Sequence, residues 1–475
     1  MRKTITRIMI PVVLACVFLA GCGTLAPNYT RSAPPVPVSW PEGPAYPATA
    51  LPAASPVLSE MAWRDFFSDE KLKALIGLAL ENNRDLRVAA LNIERARAQY
   101  RIQRAELFPS VGASGEGSVS RLSESLSPAG KGETIDQYGV GVGLSSYELD
   151  FFGRVRSLKG RALEEFFATE EARRSAQITL VSEVARGYLV LAADRERLAL
   201  ARQTLTSHQA THDLTRRRFD VGVASALEVR QAQTSVDSTR VDIARYTGLV
   251  AEDENALSFL AGTSLRAELL PDAPVNSVTL LDEIPAGVPS EVLQRRPDIL
   301  AAEHRLKGAN ANIGAARAAF FPRIALTASA GFASDDLLDL FGSGTGTWAF
   351  APRIDIPIFT AGSLRARLKT SKIDREISLA RYEGAIQSAF REVADALAQR
   401  GTVNDQLTAQ QSLVEAAADS YRLSEARFSK GIDSFLNVLD SQRSLYGAQQ
   451  NLISIRLFRL NNLVTLYRVL GGGAV

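Results

Sequence analysis

Residues 218–233 read RFDVGVASALEVRQAQ, and residues 427–443 read RFSKGIDSFLNVLDSQR. Each stretch sets a glycine three residues after an Arg-Phe pair and a serine three residues beyond that. Leu227, Val229 and Gln233 then match Leu436, Val438 and Gln442 at one offset of 209. Earlier, Asn83-Arg84-Asp85-Leu86 recurs as Arg296-Pro297-Asp298-Ile299, and Leu107-Phe108-Pro109 as Phe320-Phe321-Pro322, both at an offset of 213. A period of this kind is an internal duplication. The change of offset puts a small length difference between residues 110–150 and their partners 323–360.

Outward from these stretches, apolar residues recur every seven positions. The series are Val184, Leu191, Leu198, Leu205; then Val229, Val236, Ile243, Val250, Leu257; and in the second half Leu379, Ile386, Val393, resuming at Leu407, Val414, Tyr421, Phe428 and again at Leu439, Tyr446, Ile453, Leu460, Tyr467, with Arg400 as the one break. This is coiled-coil spacing. A helix over residues 166–219 would be about 80 Å long at ~1.5 Å per residue. Gly222 and Gly431 end such helices, and Ser225 and Ser434 restart them, with Ser225 and Glu228 spaced as a capping box. Each half therefore holds an antiparallel helical hairpin whose apolar stripe needs neighbours to cover it.

The intervening segments alternate by two, as strands do. Ile324, Leu326, Ala328, Ala330 and Phe332 form one series, and Trp348, Phe350, Pro352, Ile354, Ile356 and Ile358 another. In the first half Tyr138, Val140, Val142 and Leu144 alternate with glycines, and Val111, Ala113 and Val119 with Ser114, Glu116, Ser118 and Ser120. One apolar and one polar face is what a water-filled membrane barrel needs. Four strands cannot close a barrel when the smallest need about eight, so strands that cross a membrane require an oligomer. A soluble sheet in a periplasmic coiled-coil protein is the alternative.

At the N-terminus, Arg2, Lys3 and Arg7 precede an apolar run from Ile8 to Ala20, the order of a secretory signal and too short for a permanent span. Leu19-Ala20-Gly21-Cys22 resembles a lipobox, which makes Cys22 the acylated first mature residue; an ordinary signal peptide with an incidental cysteine is the alternative. Cys16 would be removed with the signal, leaving one cysteine and no intramolecular disulfide. Gly23, by resemblance to lipoprotein sorting, points to the outer membrane. Residues 24–60 hold nearly half of the chain's 20 prolines and read as an extended tether.

The two opening stretches, with Trp63-Arg64-Asp65-Phe66-Phe67 and Leu470-Gly471-Gly472, resemble the TolC-like outer-membrane efflux factors, specifically the lipoprotein branch serving resistance-nodulation-division pumps. The resemblance covers nearly everything from Cys22 onward. It implies a mainly α fold with membrane β structure, in which long α-helical hairpins form a periplasmic helical barrel. Four strands per chain then contribute to a trimeric twelve-stranded outer-membrane β-barrel. The domain reading is a signal peptide over 1–21, a lipid-anchored tether over 22–60, a first repeat over 61–265 with strands near 110–150 and a hairpin near 154–262, a linker over 266–288, and a second repeat over 289–475 with strands near 323–358 and a hairpin near 362–470. The implied partners are two further copies of the chain, a periplasmic adaptor, an inner-membrane resistance-nodulation-division transporter and outer-membrane lipid. No cofactor is implied beyond the covalent lipid (palmitate) on Cys22.

The same resemblance makes Gly222, Val223, Ser225, Gly431, Ile432 and Ser434 adaptor-contact residues at the periplasmic tips, where the glycines also serve the turn itself. It puts the channel gate on Leu436, Asp440 and Arg443, spaced i, i+4, i+7 on one helix face, with Asn437 where some members carry a further acid. Three-fold symmetry would make Leu436 an apolar ring that opposes wetting and Asp440 an acidic ring. From spacing alone, Asp440 and Arg443 read rather as a solvated helix pair, and it is the resemblance that makes them gate residues. The first repeat carries Leu227, Gln231 and Thr234 at the matching positions, so the gate is expected to be asymmetric.

Nothing in the chain assembles a catalytic constellation. The histidines are His208, His212 and His304; the first two have metal-pair spacing but lack an intervening glutamate and a third ligand, and read as a surface pair on a polar helix. Gly139, Gly141 and Gly143 alternate within a strand and are no nucleotide loop, and Gly130-Lys131 lacks the rest of a P-loop. A formal charge of +2 gives no field for nucleic acid. The expected function is an outer-membrane efflux channel that is not an enzyme. The alternatives are a type I protein-secretion channel and a non-channel periplasmic coiled-coil lipoprotein.

Overall fold

The computed structural model describes residues 23–46, 61–128, 130–278, 280 and 290–472. The signal sequence and Cys22 lie outside the described residues. Among the described residues, eight α-helices and four strands follow in the order α1 (Trp63–Phe66), α2 (Glu70–Asn82), α3 (Arg84–Ala105), β1 (Val111–Leu122), β2 (Glu133–Leu149), α4 (Arg154–Asp220), α5 (Ala226–Ala261), α6 (Pro297–Ala318), β3 (Arg323–Ser334), β4 (Gly346–Asp355), α7 (Ser363–Ser429) and α8 (Phe435–Val469). The duplication is plain in this order: a helix, a strand pair and a helical hairpin occur twice. Both hairpins open with a helix of 67 residues.

The chain divides into two units, one of residues 1–33, 92–170 and 301–382, the other of 34–91, 171–300 and 383–475. The first unit contains one antiparallel sheet in the order β1-β2-β3-β4. Its register aligns the apolar series of all four strands on one face: Val111 faces Leu144 and Ala113 faces Val142; these continue to Ala328 and Ala330, and those to Phe350 and Trp348. The other face carries Ser114, Glu116, Gly139, Gly141, Gly143, Ser329, Gly331, Thr347, Ala349 and Arg353. Direct cross-strand neighbours share a face, so alternation within each strand becomes one apolar and one small or polar surface. A bulge between Leu144 and Tyr147, with Ser146 at φ +54°, restores this registry near the sheet base. The edges β1 and β4 are exposed along almost their whole length.

Residues 23–33 of the proline-rich N-terminal segment form neither helix nor strand and are laid along the first unit. Leu25 O accepts from Arg317 at 2.9 Å and Pro27 O accepts from Asn310 at 2.7 Å. Glu303, buried in α6, accepts from Tyr29 at 2.9 Å and from Arg31 at 2.9 and 2.5 Å. Burial raises the Glu303 pKa, but the hydrogen bonds from Arg31 and Tyr29 and the charge of Lys307 outweigh it and hold the carboxyl below its ordinary value. Gly23 and Thr24 lie so close to Gly153 that a side chain there would strike them, and Gly153 (φ +72°) sits where β2 gives way to α4. Asp150 caps that helix by accepting from the backbone of Val155 and Arg156 at 3.2 and 2.9 Å.

The second unit has a heptad core. Val184, Leu191, Val236, Leu257, Ile386, Val393, Leu439, Ile453, Leu460 and Tyr467 are all buried. α5 ends on Gly262 at φ +69°, against Asn82, where any Cβ would collide with backbone. An aromatic knot closes the core: Phe66 stacks on Tyr467 at 4.3 Å and meets Phe67 edge-on at 4.9 Å, while Tyr467 donates to Met61 O at 3.2 Å. Tyr467→Ala is expected to destabilise the protein by about 3–5 kcal/mol through the cavity it leaves. Tyr467→Phe, which removes one hydrogen bond, is expected to cost about 1 kcal/mol. Denaturant unfolding followed by far-ultraviolet circular dichroism separates the two.

Candidate functional site

Each hairpin turn is built by its glycine. Gly222 at φ +78° lets Gly222 N–H donate to Phe219 O at 2.9 Å and Val223 N–H donate to Arg218 O at 2.8 Å. Gly431 at φ +76° repeats this with bonds to Phe428 O at 2.9 Å and from Ile432 to Arg427 O at 3.0 Å. These paired bonds are a Schellman stop, which needs the left-handed residue that glycine supplies without strain. The residues that follow are thrust outward: Val223 is 64% and Ile432 60% exposed.

The restarts differ. Ser225 Oγ accepts from Glu228 N–H at 3.2 Å and Ser225 N–H donates to the Glu228 carboxylate at 2.6 Å, a complete capping box. Ser434 stands at the N-cap of α8 without a side-chain bond, and Asn437 in place of Glu228 lacks the carboxylate that would complete a box. An ion pair across the second turn substitutes for the box, with Arg427 bonded through two nitrogens to Asp433 at 2.6 and 3.2 Å. That arginine holds the Asp433 carboxyl below its ordinary pKa. The first repeat has Ala224 opposite Asp433, and its Arg218 lies over the Phe428 ring instead, 4.4 Å from the centroid.

α8 buries Phe435, Val438, Leu439 and Gln442. Phe435, Val438 and Leu439 cluster with Phe428 and with Ala232 of α5. Leu436, Asn437, Asp440 and Arg443 project from the opposite side and are exposed, Leu436 by 58%. The expected one-face arrangement is therefore present. No ion pair joins Asp440 to Arg443 among the described residues, and both side chains are exposed. Leu227, Gln231 and Thr234 of α5 hold the matching places, with Leu227 66% exposed.

The reading of His208 and His212 as a surface pair is corrected. His212 is partly exposed beside Asp213, but His208 is buried, with Nδ1 3.1 Å from Ser235 O and 2.9 Å from Thr239 Oγ1. Position 208 falls three residues after Leu205, on the second half of the heptad stripe, and that spacing was the signal for burial. Among the described residues no group of three His, Cys, Asp or Glu side chains is placed to hold a metal ion. No described helix is long and apolar enough to cross a membrane.

The family model described as outer membrane efflux protein matches residues 75–263 and 288–472, once for each repeat. The toluene efflux pump outer membrane protein TtgC of Pseudomonas putida is 51% identical over 468 residues, covering 98% of this chain and 96% of TtgC. A crystal structure of a membrane protein from Pseudomonas aeruginosa superposes with TM-score 0.88 at 41% identity, over 94% of this chain and all of that one. The open state of the Neisseria gonorrhoeae MtrE outer membrane channel superposes with TM-score 0.86 at 38% identity, over 95% and 99% of the two chains. This chain belongs to the outer membrane efflux protein family, and its fold is TolC-like.

Proposed function

We propose that this protein is the outer-membrane channel of a tripartite efflux pump, a homotrimer whose three sheets close one barrel and whose tips meet a periplasmic adaptor coupled to a resistance-nodulation-division transporter. The observation that carries the reading is the sheet: one continuous apolar face, one small and polar face, and two unpaired edges. Such edges invite pairing with another chain, and an up-and-down order sets β4 antiparallel to the β1 of a neighbour. Three copies give twelve strands, above the minimum of about eight for a membrane barrel. Ile356, Ile358 and Phe359 are exposed apolar residues just past β4.

An acyl group on Cys22 fits the same level. Gly23 and Thr24 are packed beside Gly153 at the end of β2, and β2 and β4 end at the same rim of the sheet through Leu149, Ile324 and Ile354. The channel is passive and small molecules pass along it; the transporter selects the cargo. Gly222, Val223 and Ser225, with Gly431, Ile432 and Ser434, form the adaptor surface, and Leu436, Asp440 and Arg443 form the gate. Brief chemical cross-linking of the full chain in mild detergent is expected to give a ladder that ends at three copies. A ladder absent at all protein concentrations would refute the barrel.

A further inference from the structure

We propose that His208 is a proton-operated latch: neutral, it lets the gate helix α8 pack against α4 and α5, and protonated, it drives α8 away and opens the tip. The inference rests on the channel reading above. Ser235 O can only accept, so His208 Nδ1 carries the proton of the neutral ring, and Thr239 Oγ1, which itself donates to Ser235 O at 2.9 Å, accepts alongside. Nε2 is left as a bare acceptor, buried and without a partner. A proton arriving there places a charge in a site that is only 5% exposed.

No carboxylate among the described residues is bonded to the ring to compensate that charge. α8 presents Gln442 and Arg443: Gln442 donates to Ser207 Oγ at 3.2 Å and to Tyr421 OH at 3.5 Å, while the positive charge of Arg443 acts on His208 itself. α5 presents Ser235 and Thr239, and its Asp237 is turned to Arg240 and Gln233. α7 contributes Tyr421, which is bonded to Glu425 at 3.4 Å. On α4, Asp213 is beside His212. No carboxylate is bonded to His208, and the cation that acts on it belongs to the gate face.

The layer is also poorly satisfied as it stands. Gln442 Oε1 and Ser235 Oγ are buried without partners, as is His208 Nε2. Three unpaired polar atoms from three helices make a packing layer that is weaker than the apolar layers above and below. A charge on His208 would be opposed by that of Arg443, and separation of α8 from α4 would let water solvate it.

The sign follows from linkage. Burial lowers the His208 pKa in the closed tip, with Arg443 adding to it and the Ser235 hydrogen bond opposing it. In an opened, wetted tip the ring returns to about 6.5. Between those two values the open state binds more protons, so falling pH favours opening. Each unit of difference changes the open-to-closed ratio by about tenfold.

The test is single-channel recording of the full-length protein in planar bilayers, stepped from about pH 8 to about pH 5, the range in which histidine titrates. Wild type and His212→Asn are expected to gain open probability as pH falls below about 6.5. His208→Asn, which keeps a donor for Ser235 O but cannot charge, should stay at the value that wild type shows at alkaline pH. Carbon NMR of histidine-labelled protein, with three histidines in the sequence, should show the His208 ring titrating below the ordinary histidine value of about 6.5. A wild type indifferent to pH overturns the latch, as does a rise retained in His208→Asn. A retained rise would transfer the effect to Asp253, whose pKa burial and Asp194 push up to about 6. If Leu436→Ala/Asp440→Ser conducts while the wild type ignores pH, only the latch fails; if that variant conducts at no pH, the channel reading fails with it.

Discussion

Phe350→Pro in β4 is expected to convert the trimer to monomer in mild detergent and to remove all conductance, whereas Phe350→Ala leaves both in place. Ala333 N–H donates to Thr345 O at 2.9 Å, and antiparallel pairs alternate between bonded and non-bonded. Thr347, Ala349, Ala351 and Arg353 therefore spend their backbone groups on β3. Trp348, Phe350 and Ile354 turn theirs outward. Pro352 lies in the outward set and already lacks a donor, consistent with an edge strand. A second proline removes another outward donor and leaves a neighbour's carbonyl unpaired, at about 2–7 kcal/mol for a group facing hydrocarbon. In the proposed trimer, symmetry applies that loss at all three interfaces. Light scattering after size-exclusion chromatography reads the mass; a Phe350→Pro trimer as stable as wild type would contradict the edge pairing.

Replacing Leu436 by Ala together with Asp440 by Ser is expected to raise single-channel conductance several-fold. Both side chains are exposed on the uncovered face of α8, so the protomer core made by Phe435, Val438 and Leu439 is untouched. Shrinking an apolar ring removes the barrier to wetting, and removing an acidic ring releases bound cations. The matching change in the first repeat, Leu227→Ala with Gln231→Ser, is expected to alter conductance little. Its turn is locked by the Ser225 and Glu228 box, while the second turn depends on the exposed pair Arg427 and Asp433, which salt screens. Equal responses from the two repeats would remove the asymmetry from the gate.

Much of this was written in the spacing of the chain. Val184, Leu191 and Leu198 report the helical core because a heptad buries the same stripe at every turn. Gly222 and Gly431 report the tips because a left-handed residue is needed to stop the helix. The apolar face was legible strand by strand, but not the register that joins Val142 to Ala330 and Trp348, since pairing is set between strands rather than within them.

Contacts between segments distant in sequence were hidden for the same reason. The prolines before residue 60 announce an extended segment without saying that Glu303 would hold Arg31 and Tyr29. His208 was obscured by its polarity: a heptad reading that counts only apolar residues passes over a buried histidine at the right spacing. Arg427 and Asp433, six residues apart, meet only because the glycine turn folds the chain back between them.

Three copies of this chain are proposed to make one conducting pore. Recording purified full-length Leu436→Ala/Asp440→Ser protein in planar bilayers, from a detergent fraction whose mass has been measured, tests it most directly. The account predicts a trimer that inserts and conducts in discrete, uniform steps larger than those of the wild type. A monomer that shows no conductance even with the gate residues replaced would contradict it.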